Sequence, residues 1–290
     1  MQREHRSVTA EFSAVLRAIH MALDPKPSIF VDRVAPQLLK LNRQVLETAL
    51  LEQQATAAKY GDLQYAVRVA ASLRMFTVLR SRFTRDQFGE SSREQLVLLG
   101  AGLDLSPASE TDIPVFAVDH PDTSRWARSL FADAGVPIDN NLRFVEMNFT
   151  EGPDVLFPTL VEYGFQREKP AFFVWLGVQP YLTIKQILVT ARVVGSCPAG
   201  TQLVTDFMTP DTSWSGIGER TGKLLQDSPH RELEPFKSYS DPAELGKLLL
   251  VCGFTTAQSI EAEEANALYC GERTDALSYP NCAAMIIAEV

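Results

Sequence analysis

Glycine and polar residues follow three short apolar segments of this chain, and their types fit the binding of a nucleotide. Gly100 and Gly102 come directly after the first segment, Asp119 ends the second, and Asn148 follows the third. Glycine allows the backbone to turn sharply and to approach a ligand closely. A carboxylate can accept hydrogen bonds from both hydroxyls of a ribose, and a side-chain amide can pair with the edge of adenine. The order of these residues therefore predicts a nucleotide-type binding site.

Each of these motifs also has a purely structural interpretation. The turn at Gly100 is only a GxG turn, because Leu105 stands where the dinucleotide fingerprint GxGxxG requires glycine. Asp119 lies 19 positions after Gly100, a spacing typical of a ribose-binding carboxylate, but it can instead cap a helix that begins near Pro121. Phe149 supplies an aromatic ring that can flank adenine. The prediction of a site therefore depends on these residues converging in space.

The pattern of the chain predicts a scaffold that brings the three segment ends together. Short apolar segments alternate with helix-like segments, which is typical of a parallel sheet covered by helices on both faces. The predicted strands are 95–99, 115–118, 143–147, 171–175, 201–205, 255–260 and 283–288. The predicted helices among them are 123–134, 155–163, 183–194 and 241–252. We expect an α/β fold with a Rossmann-like, mostly parallel sheet of seven strands, in which the last two form an antiparallel edge.

Residues 1–90 are expected to form a helical N-terminal cap ahead of a core over residues 91–290. Apolar residues recur at helical spacing in three segments, 13–23, 34–60 and 65–83. Within the core, residues 207–239 look irregular and contain Trp214 and two early glycines. We expect this segment to be a lid inserted over the site.

The composition narrows the class of protein. Apolar residues make up 46% of the 290 residues, the formal net charge is −9 and the isoelectric point is about 5.1. An acidic chain without a basic face is not expected to bind nucleic acid. The four cysteines form no CxxC pair, so we expect no metal site. No segment resembles a signal peptide or a transmembrane helix, and we expect a cytoplasmic protein that acts on a small molecule and not at a membrane.

Four motifs follow one another along the chain: VLLGAGLD, VFAVDHP, RFVEMNF and FFVWLGVQPYLT. These motifs and their order resemble the leucine carboxyl methyltransferase family. This family belongs to the class I S-adenosylmethionine-dependent methyltransferases and includes polyketide carboxyl O-methyltransferases. Upstream, RAIHMALDPKPSIFVDRVAPQLL and RVAASLRMF are similar to the helical N-terminal part of these proteins. The resemblance spans about residues 14–206 and implies S-adenosyl-L-methionine as the cofactor.

The resemblance implies roles for the residues at the strand ends. Gly100 and Gly102 would line the methionine and ribose parts of the cofactor, and Asp119 would hold the ribose hydroxyls. Asn148 and Phe149 would flank adenine, although the family commonly has aspartate at the first of these positions. The full set of expected cofactor-binding residues is Arg74, Gly100, Ala101, Gly102, Asp119, His120, Asn148, Phe149 and Leu176.

Arg74 and Leu176 are the positions of this set that bear most on cofactor binding and on the reaction. Arg74, in SLRMF, matches the arginine that pairs with the cofactor carboxylate, a task that suits a planar guanidinium; Arg68 and Arg80 are the alternatives. Many bacterial relatives carry glutamate in a motif WEGVxxYLT, where this chain has Leu176. A carboxylate is therefore missing at the end of the fourth strand, which leaves the fold assignment intact and leaves the reaction open.

The expected function is methyl transfer to an oxygen, for example of a carboxylate, on a small-molecule or natural-product acceptor. A carboxylate acceptor is ionised at neutral pH and needs no catalytic base, whereas a phenol or an amine would need one. Tyr181, Leu176 and His120 are candidates for the acceptor site, and no residue is assigned as a base. Two alternatives remain: an NAD(P)-dependent oxidoreductase, which Leu105 disfavours, and a non-catalytic S-adenosylmethionine-binding module, which Leu176 allows. The oligomeric state stays open.

Overall fold

A computed structural model of the chain describes residues 7–91, 93–148, 155–232, 234–275 and 277–290. The strands are β1 (Leu96–Leu99), β2 (Val115–Asp119), β3 (Leu142–Glu146), β4 (Phe172–Trp175), β5 (Gln202–Met208), β6 (Thr256–Ile260) and β7 (Ala283–Glu289). They form one seven-stranded sheet in the order β3-β2-β1-β4-β5-β7-β6. Strands β1 to β5 run parallel, and β7 runs antiparallel to both β5 and β6. The predicted α/β fold is confirmed.

Strand β1 lies where the order of the strands reverses, with β2 on one side and β4 on the other. In open α/β sheets, ligands bind beyond the carboxyl ends of the strands at this switch point. The register pairs Leu99 with Val118, and Asp119 with Glu146. The ends of β1, β2 and β3 therefore lie at the same edge of the sheet.

Both faces of the sheet are buried because the central strands are apolar at consecutive positions. In β1, Leu96 and Leu98 pack into one core cluster, and Val97 and Leu99 pack into the other. The helices that follow β1 are α5 (Pro121–Ala134), α6 (Leu156–Glu162), α7 (Ile184–Val194), α8 (Gly216–Gln226), α9 (Pro242–Val251) and α10 (Ala262–Cys270). Helices α6, α7 and α9 contribute to the second cluster, and α5, α8 and α10 contribute to the first.

Four helices precede the sheet: α1 (Val8–Leu23), α2 (Ala35–Leu38), α3 (Arg43–Ala57) and α4 (Leu63–Glu90). The prediction of a single helix over 34–60 is wrong, because the helical conformation is interrupted between α2 and α3. Lys40 adopts a positive φ of 51°, and the side chain of Asn42 accepts a hydrogen bond from Val45 N at 3.0 Å. Asn42 therefore starts a new helix, as a side-chain cap of this kind does.

The prediction that residues 207–239 are irregular is also wrong. Strand β5 continues to Met208, and α8 lies within the segment. Its glycines are packing residues: a Cβ at residue 218 would stand 1.8 Å from Asn281 Oδ1, and one at residue 222 would stand 2.5 Å from the ring of Trp214. Glycine lowers helix propensity, so the local sequence of α8 did not predict a helix.

The predicted antiparallel edge is confirmed, but it is not a simple hairpin. Helix α10, which the sequence did not suggest, connects β6 to β7, and β7 inserts between β5 and β6. Among the described residues, no helix is both long and apolar enough to cross a membrane.

Candidate functional site

A large cavity lies at the carboxyl ends of β1, β2 and β4, at the switch point of the sheet. Its volume is about 1230 Å³. The lining comes mainly from the strand ends, from α1 and α4 above them, and from the end of α8 and the segment after it. Binding pockets for drug-sized molecules typically measure about 300–1,000 Å³. The cavity therefore has room for a nucleotide-sized molecule together with a second one.

The turn after β1 forms the floor of the cavity. Gly100 and Gly102 have positive φ values of 71° and 52°, which glycine adopts without steric cost. A Cβ at residue 100 would stand 2.3 Å from Cγ2 of Val178. Ala101, between the two glycines, also lines the cavity. The close packing of Val178 and the positive φ together require glycine at residue 100, and the turn itself lines the cavity.

Asp119 and Asn148 line the same cavity, as their positions at strand ends predict. Asp119 is half-buried; its Oδ2 accepts a hydrogen bond from Gly102 N and its Oδ1 accepts one from His120 N, both at 2.7 Å. A carboxylate has about four lone-pair sites, so acceptor capacity remains for ribose hydroxyls. Asn148 is also half-buried, and Phe149 lies outside the described residues. Ribose and adenine binding stay predictions that this geometry allows.

The electrostatic setting of Asp119 differs from that of a surface carboxylate. Burial raises its pKa above the ordinary value, although hydrogen bonds from the backbone of Gly102 and His120 act in the opposite direction. The helix cap considered for Asp119 is instead supplied by His120, whose Nδ1 accepts from Asp122 N at 3.2 Å. His120 lines the cavity and is largely exposed. Its side chain therefore has a structural task that does not depend on a ligand.

Arg74 does not reach the cavity, so the structure contradicts its predicted role as the partner of a cofactor carboxylate. Its guanidinium is buried and forms two hydrogen bonds with Asp24, Nη2 to Oδ1 at 2.6 Å and Nε to Oδ2 at 3.1 Å. Its Nη1 donates to Gln53 Oε1 at 2.9 Å. Because these partners occupy the guanidinium, Arg74 joins α1 and α3 to α4 as a structural residue.

Arg80, in α4, lines the cavity, as does Arg85 of the same helix. The Nη1 of Arg80 donates to Asp206 Oδ2 at 2.8 Å, and the other oxygen of Asp206 accepts from Gly177 N at 2.5 Å. The guanidinium lies over the ring of Phe76, with 4.8 Å between Cζ and the ring centroid. A Cβ at residue 177 would stand 2.9 Å from Nη2 of Arg80, so glycine makes room for this group. Of the two alternatives to Arg74 considered from the sequence, Arg68 and Arg80, only Arg80 lines the cavity.

Asp206 and Arg17 were missed from the sequence, although both hold parts of the site. Asp206 is fully buried within the otherwise apolar end of β5, and an ionisable residue in such a strand indicates a buried partner. Arg17, in α1, donates to Asp32 Oδ2 at 2.9 Å and to the carbonyl oxygen of Leu103 at 3.2 Å. The second bond attaches α1 to the glycine turn.

The far end of the cavity contains Leu176 and Tyr181 after β4, and Arg231 and Phe236 from the segment after α8. Burial raises the pKa of the Tyr181 phenol, although the charge of Arg231 and a hydrogen bond to it act in the opposite direction. The Cζ of Arg231 lies 4.1 Å from the ring centroid of Phe236 and 5.1 Å from that of Tyr181. This end of the cavity combines apolar walls with one cation.

The described residues contain no cluster of histidine, cysteine or acidic side chains that could hold a metal ion. Three of the four cysteines are buried, and burial raises the pKa of Cys197 and of Cys282 to about 12. Such thiols are protonated and inert at neutral pH.

Three features define a Rossmann-like nucleotide-binding domain of the methyltransferase type: the order of the strands, the glycine turn after β1 and the carboxylate at the end of β2. A model of the family described as leucine carboxyl methyltransferase matches residues 10–194, more than half of the chain. The chain belongs to this family and is an S-adenosylmethionine-dependent methyltransferase. The oxidoreductase alternative is therefore wrong. A search of curated proteins found no match.

Solved structures support the fold. A protein from Thermobifida fusca that is assigned as a methyltransferase is 18% identical, with 92% of this chain and 98% of that chain covered and a TM-score of 0.53. A DUF574 family protein from Streptomyces avermitilis is 13% identical, with 96% of each chain covered and a TM-score of 0.57. At these identities the likeness concerns the fold alone.

Proposed function

We propose that this methyltransferase transfers the methyl group to a carboxylate oxygen of a small organic acid. The observation that carries the proposal is the wall that Leu176 and Tyr181 form at the far end of the cavity, which we call the acceptor end. Leu176 has no titratable group, and burial raises the pKa of Tyr181, so its phenol stays protonated at neutral pH. Neither of these two side chains is a base at neutral pH, and an ionised carboxylate is the oxygen acceptor that requires none.

The cofactor end has the donors and acceptors that S-adenosylmethionine needs. Asp119 would accept from the ribose hydroxyls, Asn148 would meet adenine, and the turn at Gly100 would lie against the methionine part. Arg80 would bind the cofactor carboxylate, since its Nη1 is fixed by Asp206. When bound, the cofactor supplies a methyl group activated by its sulfonium: the acceptor oxygen bonds to the methyl carbon while the C–S bond breaks and its electron pair stays on sulfur.

The helices before β1 would act as the cap of this site and the segment after β5 as its lid. Their contact is visible at the mouth of the cavity, where Tyr60 donates its hydroxyl to Asp227 Oδ2 at 2.6 Å. Arg220, in α8, donates to the carbonyl oxygen of Tyr60 at 2.7 Å. Closing the site in this way would exclude water and hold the acceptor oxygen at attack distance from the methyl carbon.

Methyl transfer to a panel of carboxylic acids, phenols and amines tests the proposal. The protein is incubated with methyl-labelled S-adenosylmethionine, and the label is followed by mass spectrometry before and after mild alkali. An ester is hydrolysed by alkali, whereas a methyl ether or methylamine is not. We expect alkali-labile product from acids only; alkali-stable product, or cofactor binding without transfer to any acid, would contradict the proposal.

Two arginine variants test the cofactor end by calorimetric titration with S-adenosylhomocysteine. Arg80→Lys keeps a charge beside Asp206 but loses the planar fork that pairs with a carboxylate, so we expect about tenfold weaker binding. Arg82→Lys is the matched control, because Arg82 lies on the same helix and pairs with Asp86 away from the cavity. Equal affinities of the two variants would remove Arg80 from the site.

A further inference from the structure

Arg231 is a partly buried cation that lines the cavity. Its Nη1 donates to the carbonyl oxygen of Glu234 at 2.8 Å, and it shares a hydrogen bond with Tyr181. Its Nε is buried and has no hydrogen-bond partner among the described residues. A buried N–H donor without a partner costs about 1–3 kcal/mol, and more when the group is charged. Because Arg231 also lines the cavity, an anion bound there can pair with its guanidinium.

Two aromatic rings fix the position of Arg231, and no ion pair joins it to a carboxylate of the described residues. The rings of Phe236 and Tyr181 hold the guanidinium by its face, which leaves its N–H edge to other partners. Asp227, a nearby carboxylate of the same segment, is bound by the Tyr60 hydroxyl. Arg80, the other arginine whose charge acts on Tyr181, is paired with Asp206. Arg231 is therefore left as a cation able to pair with an anion from the cavity.

We propose that Arg231 binds a carboxylate of the methyl acceptor, and that the acceptor has an apolar, planar body. The body would pack on one side against the rings of Tyr181 and Phe236 and on the other against Leu224 and Leu225, which also line the cavity. This inference rests on the proposed function and adds to it the residue that recognises the acid. That residue comes from the segment after α8.

Glu234 adds one feature to the acceptor. Glu234 lines the same end of the cavity, and its buried Oε2 has no hydrogen-bond partner in the part of the chain that the structure describes. Its charge acts on Tyr181 together with that of Arg231, so the two charged side chains lie on the same part of the wall. A hydroxyl or amino group beside the carboxylate of the acceptor would donate to this oxygen. An aromatic hydroxy acid satisfies both unpartnered atoms.

Three probes separate these contributions: a hydroxynaphthoate with neighbouring hydroxyl and carboxylate groups, the matching hydroxynaphthamide, and the naphthoate that lacks the hydroxyl. Each is titrated by calorimetry into the protein loaded with S-adenosylhomocysteine. We expect the hydroxynaphthoate to bind at least about tenfold more tightly than the hydroxynaphthamide, since a hydrogen bond to a charged group contributes about 1.5–3 kcal/mol. Removing the hydroxyl should weaken binding by a smaller factor.

The variant Arg231→Gln should abolish the preference for the acid over the amide. The matched control is Lys223→Gln, which removes a positive charge from the exposed face of α8 outside the cavity and should keep the preference. Circular dichroism and the affinity for S-adenosylhomocysteine check that both variants fold. Equal binding of acid and amide by the wild type, binding of neither, or a preference that survives Arg231→Gln would each overturn the assignment.

The same variants distinguish this inference from the proposed function. If Arg231→Gln methylates acids as well as the wild type does, the recognition role is wrong and the carboxylate chemistry stands. If acid binding depends on Arg231 but no acid is methylated, the recognition role stands and the carboxylate chemistry is wrong.

Discussion

Replacing Arg74 with methionine tests whether this arginine is structural, as its contacts imply, or a cofactor ligand, as its sequence motif suggests. Methionine keeps an unbranched side chain of similar reach and removes only the guanidinium. The change leaves the Asp24 carboxylate buried, with His20 as its remaining side-chain partner, since His20 Nδ1 lies 3.0 Å from Asp24 Oδ2. Arg74 and Asp24 are only 5% and 6% exposed at their side chains, so water cannot replace the lost contacts.

Breaking a buried ion pair by removing one partner costs about 3–5 kcal/mol, because the other charge stays buried without compensation. Natural domains unfold with a free energy of about 5–15 kcal/mol, so this loss is a large part of the total. Burial alone would raise the pKa of Asp24, but hydrogen bonds from His20 and Arg74 outweigh it and hold the pKa below 3.8. A carboxylate whose pKa is lower in the folded state than in the unfolded state stabilises the fold at pH values above 3.8. This contribution is lost as the pH falls through the pKa of the folded state.

Urea denaturation of Arg74→Met, followed by circular dichroism at neutral and acid pH, measures this loss. We expect a free energy of unfolding lower by about 3–5 kcal/mol at neutral pH, and a smaller decrease on acidification than in the wild type. The control is Arg68→Met, an exposed arginine of the same helix, which should change stability by less than about 0.5 kcal/mol. Folded Arg74→Met should bind S-adenosylhomocysteine as the wild type does. Weak binding with unchanged stability would refute the structural role.

Two further predictions concern the cofactor end and the lid. Burial raises the pKa of Asp119, and protonation of this carboxylate removes a hydrogen-bond acceptor. The affinity for S-adenosylhomocysteine should therefore fall as the pH is lowered through the raised pKa. Asp119→Ala should bind about tenfold more weakly at neutral pH and should lack this loss at acid pH, which calorimetry at several pH values measures. Gly222→Ala should destabilise the protein by about 1–3 kcal/mol in urea, because the new Cβ would stand 2.5 Å from the ring of Trp214. The matched change is Gly89→Ala in α4, where the new Cβ would have no atom within 4 Å, and it should stabilise the protein by up to about 1 kcal/mol. Equal effects of the two changes on the free energy of unfolding would show that α8 packs differently.

Local sequence pattern was sufficient for most of the sheet. The predicted strand 115–118 is β2, Val115–Asp119, and the predicted strand 171–175 is β4, Phe172–Trp175. These strands are buried on both faces, so each is a continuous apolar run that stands out against the helices. The residues that follow such runs in Rossmann-like sheets lie at one edge, which is why Gly100, Asp119 and Asn148 could be placed at one cavity without a structure.

The sequence by itself therefore determined the class of fold, the family and the strand ends that line the cavity, because each depends on residues close together in the chain. Only the tertiary structure decided between Arg74 and Arg80, since each is defined by a distant partner, Asp24 for one and Asp206 for the other. The same holds for α8, whose glycines make sense only beside Trp214 and Asn281. Side chains that meet across many intervening residues have no signature in local spacing, and burial alone does not say whether a charged group faces a partner or a cavity.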